Sequence, residues 1–265
     1  MTQFKGAFLD FSIFTYDMMF MLFAVAVFAG FIDTLAGGGG LLTIPALILT
    51  GIPPLLALGT NKFQAFIGSG TASLMMLVKK KVTFSEVKYL MLMAFIGSSI
   101  GTICVQFIDV ELLNFVIPIV LLLIGIYFIF MPKASDIDKK PKMSEETYKY
   151  TAVPFIGFYD GMFGPGTGSF LSLSAIALRG IELIKATAMA KTMNFATNLG
   201  SVCIFLIYGQ VIFSIGILMM LGQALGAYIA SHFLLKIDPL HLRILVIIIC
   251  LIMLVKYSFQ MGWIG

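Results

Sequence analysis

The sequence predicts an all-α integral membrane protein that is built from two repeats. Of its 265 residues, 60% are hydrophobic and only 11% are charged, whereas a soluble domain carries about 25% charged residues. Charge-free stretches such as residues 34–61, 89–108 and 192–235 reach the roughly 20 apolar residues that a membrane-spanning helix requires. Strict alternation of apolar and polar residues, which marks a transmembrane barrel, is absent. These features and a net charge of only +4 exclude a soluble domain, a disulfide scaffold and a nucleic-acid binder.

The first half of the chain matches the second half in sequence order, which is typical of an internal repeat. The clearest matches are Gly30–Asp33 with Gly157–Asp160, Gly37–Gly40 with Gly164–Gly168, and Thr60–Phe63 with Thr192–Phe195. Matched residues stay between 125 and 132 positions apart. We therefore expect an N-terminal repeat over residues 1–131, a charged cytoplasmic linker over 132–150 that forms a loop, and a C-terminal repeat over 151–265.

Each half is expected to contain the same series of helical segments. A first apolar segment runs into a glycine-rich break, and a short apolar segment, a long helix and two further spans follow. In the N-terminal half these segments are 18–36, 41–50, 55–78, 86–107 and 112–131, and in the C-terminal half they are 150–163, 169–178, 184–207, 214–235 and 241–259. The glycine-rich breaks should lie near the middle of the membrane.

Prolines and paired glycines indicate where these helices end and where they pack. Proline interrupts a helix from within, so helix boundaries are expected at Pro45, Pro53, Pro54 and Pro165. The pairs Gly97/Gly101 and Gly222/Gly226 have the four-residue spacing that is typical of close helix packing in lipid.

The distribution of basic residues favours inverted halves over parallel ones. Apart from Lys62 and Lys191, 13 Lys and Arg residues face one side and 2 face the other if each glycine-rich break reverses the chain. The split is 11 to 4 if the breaks do not reverse it. Since cytoplasmic loops are enriched in Lys and Arg, we expect inverted halves, with both termini outside and the linker inside.

The glycine-rich breaks are candidate binding elements, because interrupted helices in inverted repeats mark the sites of membrane transporters. A break at membrane depth frees backbone N–H and C=O groups that lipid cannot satisfy. The short helices beginning near Leu41 and Ser169 would point N–H groups and a positive dipole end at an anion. Tight helix packing is the alternative explanation. The candidate residues of the breaks are Gly38, Gly39, Gly40, Gly166, Thr167, Gly168 and Ser169.

Lys62 and Lys191 are the candidate anion-binding side chains. An ionisable residue within a span is costly and indicates a functional site, although a lysine that extends to the membrane surface is the alternative. Both lysines stand among polar neighbours, which are Thr60, Asn61 and Asn194. Two amines together with backbone N–H groups would suit a small dianion or an organic sulfonate.

Asp33 and Asp160 precede the two breaks at matched positions, and three roles are open for them. They could pair with Lys62 and Lys191 and keep the empty site near neutral. They could take up a coupling proton, because burial favours the neutral carboxyl. They could also cap the interrupted helices without any role in transport.

At these residues the chain resembles the TauE/SafE family, which comprises bacterial membrane permeases of the sulfite and sulfonate exporter type. The resemblance covers nearly the whole length and rests on the segments Gly30–Gly40, Pro45, Pro53, Gly59–Lys62, Gly157–Gly168 and Ala186–Phe195. It implies a multi-pass transporter of the cytoplasmic (inner) membrane, often linked to sulfur-containing anions such as sulfite, sulfoacetate or other organosulfonates.

The sequence and the resemblance together predict a secondary transporter that moves a small anion by alternating access, with proton coupling as an open option. No Walker motif supports ATP use. The alternatives are a passive anion channel or helper subunit, and an intramembrane aspartyl protease that uses Asp33 and Asp160. Expected partners are a small anionic solute and the lipid bilayer, without nucleic acid, cofactor or metal. The chain could form a homodimer.

Overall fold

The fold is a bundle of helices. A computed structural model describes residues 14–130 and 140–233, together with residues 248, 252, 255 and 259. Within this part of the chain there are ten helices and no strand. The helices are α1 (Tyr16–Ala36), α2 (Gly40–Leu49), α3 (Pro54–Val78), α4 (Phe84–Gln106), α5 (Val110–Phe130), α6 (Glu145–Tyr150), α7 (Ala152–Met162), α8 (Thr167–Arg179), α9 (Leu183–Ile207) and α10 (Phe213–Phe233).

The nine predicted segments that begin in the described ranges all form helices, and each predicted bound that falls on a described residue lies within two residues of the observed one. Of the predicted segment 241–259, only residues 248, 252, 255 and 259 are described, and all four are helical. Pro53 and Pro54 stand at the start of α3, as expected. Pro45 was expected at a helix boundary, and that prediction is wrong because α2 continues through it. The glycines before α2 already turn the chain, and Pro45 deprives only one carbonyl of its helical partner.

The charged linker contains a helix, α6, although the sequence analysis predicted a loop throughout residues 132–150. Its first turn is stabilised by Ser144, whose side chain accepts a hydrogen bond from the Thr147 N–H. Two glutamates in that turn and Lys149 in the last turn complement the helix dipole. These local signals outweigh the high polarity that suggested a loop.

Four of the described helices are long and apolar enough to cross a membrane, and they are α1, α4, α5 and α10. Helices α3 and α9 are longer, at 25 residues each, but they carry polar side chains in their interiors. Those polar side chains are buried, whereas large apolar side chains such as Phe20, Leu123 and Leu221 are exposed on the outside of the bundle. This inside-out polarity is that of a helical integral membrane protein.

The two halves exchange their first helices. Helix α1 packs on α10 of the other half, and α7 packs on α4. A Cβ atom on Gly101 would collide with the carbonyl oxygen of Phe158, and one on Gly226 would collide with that of Val27. The prediction that the paired glycines allow close helix packing is confirmed, and the packing joins one half to the other.

Contacts at both ends of two helix pairs define their directions. The N–H of Ile212 donates to Thr60 Oγ1 (3.0 Å) near the start of α10, and Lys79 Nζ donates to the Ser231 carbonyl (2.7 Å) near its end. Helices α3 and α10 therefore run parallel. Helices α4 and α9 also run parallel, because Glu86 pairs with Lys185 near both starts and Ser98 bonds the Thr197 carbonyl further along.

The last residues of α3 and α10 and the first residues of α4 and α9 lie at the same end of the bundle, which we call the basic end. Only a short turn separates the end of α3 from the start of α4, so α3 and α10 run toward this end while α4 and α9 run away from it. The cations located here by their contacts are Lys79, Lys88, Lys149, Arg179 and Lys185. This arrangement is the one that inverted repeats would produce, and the inversion itself stays a prediction.

Candidate functional site

Two short non-helical segments interrupt the bundle, and we call them elbows. The N-terminal elbow (residues 37–39) joins α1 to α2, and the C-terminal elbow (residues 163–166) joins α7 to α8. Each contains glycine in the left-handed region, with φ of 75° at Gly37, 97° at Gly164 and 81° at Gly166. Only glycine adopts this conformation without strain, which explains why the chain needs glycine at both turns.

The two elbows lie against each other. A Cβ atom on Gly37 would collide with the backbone nitrogen of Ser169 and would lie 2.7 Å from the carbonyl carbon of Gly168. A Cβ atom on Gly40 would lie 3.4 Å from the Pro165 Cα. The starts of the short helices α2 and α8 are therefore brought together from opposite halves of the chain.

Asp160 forms a buried ion pair at the C-terminal elbow. Its Oδ1 lies 2.8 Å from Lys62 Nζ and 2.7 Å from Thr167 Oγ1. Asp160 and Lys62 are each only 1% exposed. The other carboxylate oxygen, Oδ2, is buried and has no hydrogen-bond partner among the described residues. The pair joins α7 to α3 across the two halves, and it is one of the two aspartate–lysine pairs that the first of the three predicted roles requires.

Asp33 behaves differently at the N-terminal elbow. Its Oδ1 accepts a hydrogen bond from the N–H of Gly39 (3.2 Å), so the carboxylate caps its own elbow, and the residue is half-buried. Lys191 Nζ donates to the backbone carbonyl of Asp33. Within the described ranges, no carboxylate lies within 4.0 Å of that ammonium. Lys191 is nevertheless buried, with 2% of its surface exposed.

The two lysines reach the elbows from equivalent depths in their helices. Each lies eight residues after the first residue of α3 or α9, about 12 Å along the helix axis. A Cβ atom on Gly164 would lie 3.0 Å from Lys62 Nζ, and one on Gly168 would lie 3.4 Å from Lys191 Nζ. Lys62 pairs with Asp160, and Lys191 bonds the Asp33 carbonyl. Two lysines and two aspartates thus meet at the elbows, and all of them except the half-buried Asp33 are almost completely buried.

The remaining predicted side chains are buried around this cluster, but several are engaged with neighbouring helices. Thr60 accepts the hydrogen bond from α10 already described, so its hydroxyl faces α10. Asn61 Oδ1 accepts from Thr43 Oγ1 of α2 (2.5 Å) and from Gln64 Nε2 (3.0 Å). The Asn194 carbonyl accepts from Asn198 Nδ2 (2.8 Å). The predicted elbow residues Gly38, Gly39, Gly166, Thr167, Gly168 and Ser169 are buried, and Gly40 is half-buried.

Three residues that build the site were not among the predicted site residues. Gly37 makes the contact between the elbows, and Gly164 leaves space for the Lys62 ammonium. The hydroxyl of Tyr159 donates to the Pro165 carbonyl (2.6 Å) and holds the C-terminal elbow. The position of Gly37 and Gly164 at the start of each glycine run was a signal for both. No group of three or more His, Cys, Asp or Glu side chains in the described ranges could hold a metal ion.

Comparison with known proteins assigns the chain to a family. The model of the sulfite exporter TauE/SafE family matches residues 22–257. The chain belongs to the TauE/SafE family. This confirms the resemblance seen in the glycine-rich and lysine-containing motifs, and the match spans both halves.

Curated relatives of the family are similar along their full length. A probable membrane transporter protein of Haemophilus influenzae is 44% identical over 93% of this chain and 97% of its own. A probable membrane transporter protein from Sinorhizobium is 42% identical over 82% of this chain and 84% of its own. The probable membrane transporter protein YfcA of Escherichia coli K12 is 39% identical over 95% and 98%. No solved structure matches the chain significantly.

Membership in this family decides between the broad classes of function. The relatives are membrane transporters from bacteria, and the family is one of exporters. The chain is a membrane transporter and not an enzyme, so the intramembrane aspartyl protease is discarded as an explanation of Asp33 and Asp160.

Proposed function

We propose that this protein is a secondary transporter of the bacterial inner membrane that moves a small anion, a sulfur-containing oxyanion or an organosulfonate, by alternating access. The observation that carries the proposal is the meeting of two elbows from opposite halves around the buried ammonium groups of Lys62 and Lys191. Burying a charge is costly unless it is paired, so two lysines in the interior of a membrane protein need a reason beyond stability.

The starts of α2 and α8 favour an anion as the substrate. The first N–H groups of a helix coincide with the positive end of its dipole, and at these starts those of Leu41, Leu42, Thr167 and Ser169 donate to the carbonyls of residues 38, 39, 164 and 166. Gly40 and Gly168 carry no side chains at these starts, and the opposite elbow lies against both of them, so a solute would reach this backbone once the elbows separate. Backbone donors and two ammonium groups suit a ligand with several oxygen acceptors.

A sulfur oxyanion or sulfonate fits this donor set. Each such group carries several oxygens on one sulfur atom, and each oxygen accepts hydrogen bonds from amines or N–H groups. The name of the family model, a sulfite exporter, supports the same substrate class. The binding residues that we propose include Lys62, Lys191, Thr60, Asn61, Asn194 and the elbow residues 38–40 and 166–169.

The helix directions support alternating access by two inverted halves. Helices α3 and α10 run toward the basic end, whereas their repeat equivalents α9 and α4 run away from it. We place the basic end in the cytoplasm, since Lys and Arg concentrate on that side. Rocking of one half against the other would expose the elbows to each side in turn. The close contact between elbows favours this mechanism over a passive channel.

Flux measurements in proteoliposomes test the proposal. We expect saturable uptake of radiolabelled sulfite or sulfoacetate into vesicles that contain the protein. Lys191→Met should lower this uptake about tenfold or more, because a hydrogen bond to a charged group contributes about 1.5–3 kcal/mol. Lys88→Met, which removes an exposed lysine at the basic end, is the matched control and should transport normally.

Two outcomes would contradict the proposal. Absence of flux for sulfite, thiosulfate and sulfonates alike would reject the substrate class. Flux that rises linearly with concentration and does not saturate would identify a channel instead of a transporter.

A further inference from the structure

Among the described residues, buried apolar side chains form two separate cores, and each core combines helices from both halves of the sequence. The first core is built by α1, α2, α5 and the starts of α3 and α10. The second core is built by α4, α6, α7, α8 and the first half of α9. Each core also receives one side chain from near the end of the other long helix, which is Phe205 of α9 in the first and Met76 of α3 in the second. We call α1, α2, α3, α5 and α10 the first body, and α4, α6, α7, α8 and α9 the second body.

Inside each body, the backbones of neighbouring helices touch. In the first body, a Cβ atom on Gly30 of α1 would collide with the carbonyl oxygen of Gln223 in α10. In the second body, a Cβ atom on Gly161 of α7 would collide with the carbonyl oxygen of Ser98 in α4. The hydroxyl of Ser98 also donates to the Thr197 carbonyl of α9 (2.8 Å). Close-packed backbones of this kind resist sliding, so each body should move as a unit.

The two long helices α3 and α9 join the bodies through side chains, and we call their contact the seam. The rings of Phe66 and Phe195 stack with their centroids 5.3 Å apart. Asn198 Nδ2 lies 3.5 Å from Ser69 Oγ, which is longer than a usual hydrogen bond. A Cβ atom on Gly70 would meet the ring of Phe195 and not a backbone. Side chains adjust when packed helices slide past each other, so the seam can shift more easily than the interior of either body.

The candidate site lies between the two bodies. Lys62 of the first body pairs with Asp160 of the second, and Lys191 of the second body bonds the Asp33 carbonyl of the first. Gly37 of the first body contacts the start of α8 in the second. A movement of one body against the other would therefore separate the elbows and rearrange the charges beside them.

Two turns of five residues carry the chain from one body to the other. Residues 79–83 join α3 to α4, and residues 208–212 join α9 to α10. Each turn contains one residue in the left-handed region, which is Lys80 with φ of 51° or Gly209 with φ of 66°. Hinges consist of a few residues at the ends of helices that absorb backbone rotation. These turns are in the position that hinges between the bodies require.

We propose that the units which move against each other during transport are these two bodies and not the two halves of the sequence, and that they move along the seam. This inference rests on the proposed function and deepens it, because it names the parts that rock. A covalent link that joins the halves but stays inside one body should then leave transport intact. A link across the seam should stop it.

Two pairs of phenylalanines on α3 provide matched positions for such links. Phe63 of α3 and Phe213 of α10 lie inside the first body, with their ring centroids 5.2 Å apart. Phe66 of α3 and Phe195 of α9 lie across the seam, at 5.3 Å. Both pairs join the N-terminal half to the C-terminal half, and they differ in that the second pair also joins the two bodies.

Cross-linking of these pairs in proteoliposomes tests the inference. The native cysteines at 104, 203 and 250 are first replaced by serine, and each phenylalanine pair is then replaced by cysteines. A short bifunctional methanethiosulfonate reagent links the cysteines, mass spectrometry measures the linked fraction, and a reductant removes the link. Uptake of radiolabelled sulfoacetate is measured before linking, after linking and after reduction.

The two linked variants should behave in opposite ways. Linked Phe63→Cys/Phe213→Cys should keep its uptake within about twofold, whereas linked Phe66→Cys/Phe195→Cys should lose about tenfold or more and recover on reduction. Where an unlinked variant fails to fold or transport, a second pair takes its place. Lys79→Cys/Ser231→Cys, with a longer reagent, links the first body, and Ser69→Cys/Asn198→Cys links the seam.

The inference and the proposed function fail in different ways. Loss of uptake on linking inside the first body would show that the sequence halves move, and it would overturn the inference. Undiminished uptake with a complete link across the seam would overturn it as well. Both results leave anion transport standing. Absence of saturable uptake by the wild type rejects the proposed function, and the inference with it.

Discussion

The two elbows occupy equivalent positions in the repeat but hold their aspartates in different ways. At the C-terminal elbow, Asp160 accepts from a side-chain hydroxyl and pairs with a lysine from the other half. At the N-terminal elbow, Asp33 accepts from a backbone N–H of its own elbow, and the lysine from the other half bonds its carbonyl instead. One elbow is thus fixed by an ion pair, whereas the carboxylate of the other has no ion pair with any described residue.

The difference originates in the long helices. In the aligned repeats, Lys62 corresponds to Asn194, and Lys191 corresponds to Gly59, one turn earlier. A side chain on Gly59 would collide with the backbone of Gln210, so the N-terminal half has no room for a lysine at that position. Each half therefore contributes one lysine, and the two lysines do not correspond in the aligned repeats although both lie eight residues after the first residue of their helices. A repeat can thus keep its fold while its charges become asymmetric.

The largest expected effect is a difference in the free energy of unfolding between variants of the two lysines. Lys62→Met leaves the Asp160 carboxylate buried and unpaired, which should lower the free energy of unfolding by about 3–5 kcal/mol. Lys191→Met removes a cation bound to a neutral carbonyl and should cost no more than about 1–2 kcal/mol. Unfolding of the detergent-solubilised variants measures both, and Lys62→Met/Asp160→Asn should recover most of the loss. Equal losses of unfolding free energy in the two variants would contradict the difference between the two elbows.

The contact between the elbows gives the next prediction. Gly37→Ala should cost about 1–2 kcal/mol for the left-handed backbone and about 1–3 kcal/mol for the collision with α8. Gly40→Ala, at the first residue of α2, is the matched control, because its Cβ would make an ordinary contact of 3.4 Å. Thermal unfolding checks both variants. A tolerated Gly37→Ala would show that the elbows do not touch.

The hydroxyl of Thr167 tests how the C-terminal elbow holds its carboxylate. Thr167→Val removes the donor to Asp160 and should cost about 1.5–3 kcal/mol, the usual contribution of a hydrogen bond to a charged group. Thr167→Ser keeps a hydroxyl and should be close to the wild type. At the other elbow the donor is a backbone N–H, so Asp33→Asn should cost less than about 1 kcal/mol. A larger loss of stability in Asp33→Asn than in Thr167→Val would show that Asp33 is the more firmly held carboxylate.

The smallest effect concerns the far end of α8, which the linker holds and which has no described equivalent at α2. The N–H groups of Lys142 and Met143 donate to the Leu178 carbonyl, and the Tyr148 hydroxyl lies 2.9 Å from Ser174 Oγ. Tyr148→Phe should therefore cost about 0.5–1.5 kcal/mol. Tyr150→Phe, at an exposed tyrosine of the same helix, should cost nothing measurable in unfolding experiments.

Most of the fold could be predicted from the sequence because apolar length and interrupting residues are local signals. The helix bounds, the glycine-rich breaks and the packing glycines at 97, 101, 222 and 226 follow from such signals. Helix α6 was missed because the stabilising contact of Ser144 lies within a polar segment. The helix boundary predicted at Pro45 was wrong because a proline inside α2 removes only one hydrogen bond, and the glycines before α2 already turn the chain.

The charged residues of the candidate site could be predicted from the sequence, but the contacts between them could not. Lys62, Lys191, Asp33 and Asp160 stand out as charges within apolar stretches. Which lysine meets which aspartate depends on how α1, α3, α7 and α9 cross, and that is a property of tertiary packing. The half-buried position of Asp33 has the same origin. The structure places Asp160 in an ion pair and Asp33 beside a backbone N–H, and the roles of both carboxylates in transport stay predictions.

The glycine-lined contacts of α1 with α10 and of α7 with α4 have a consequence for how the protein is made. Helix α1 leaves the ribosome long before α10 has been synthesised, so its packing surface must wait in the lipid for a partner from the end of the chain. Among the described helices, each half lends its first helix to the other, so the contact between α1 and α10 forms only after α10 has been inserted.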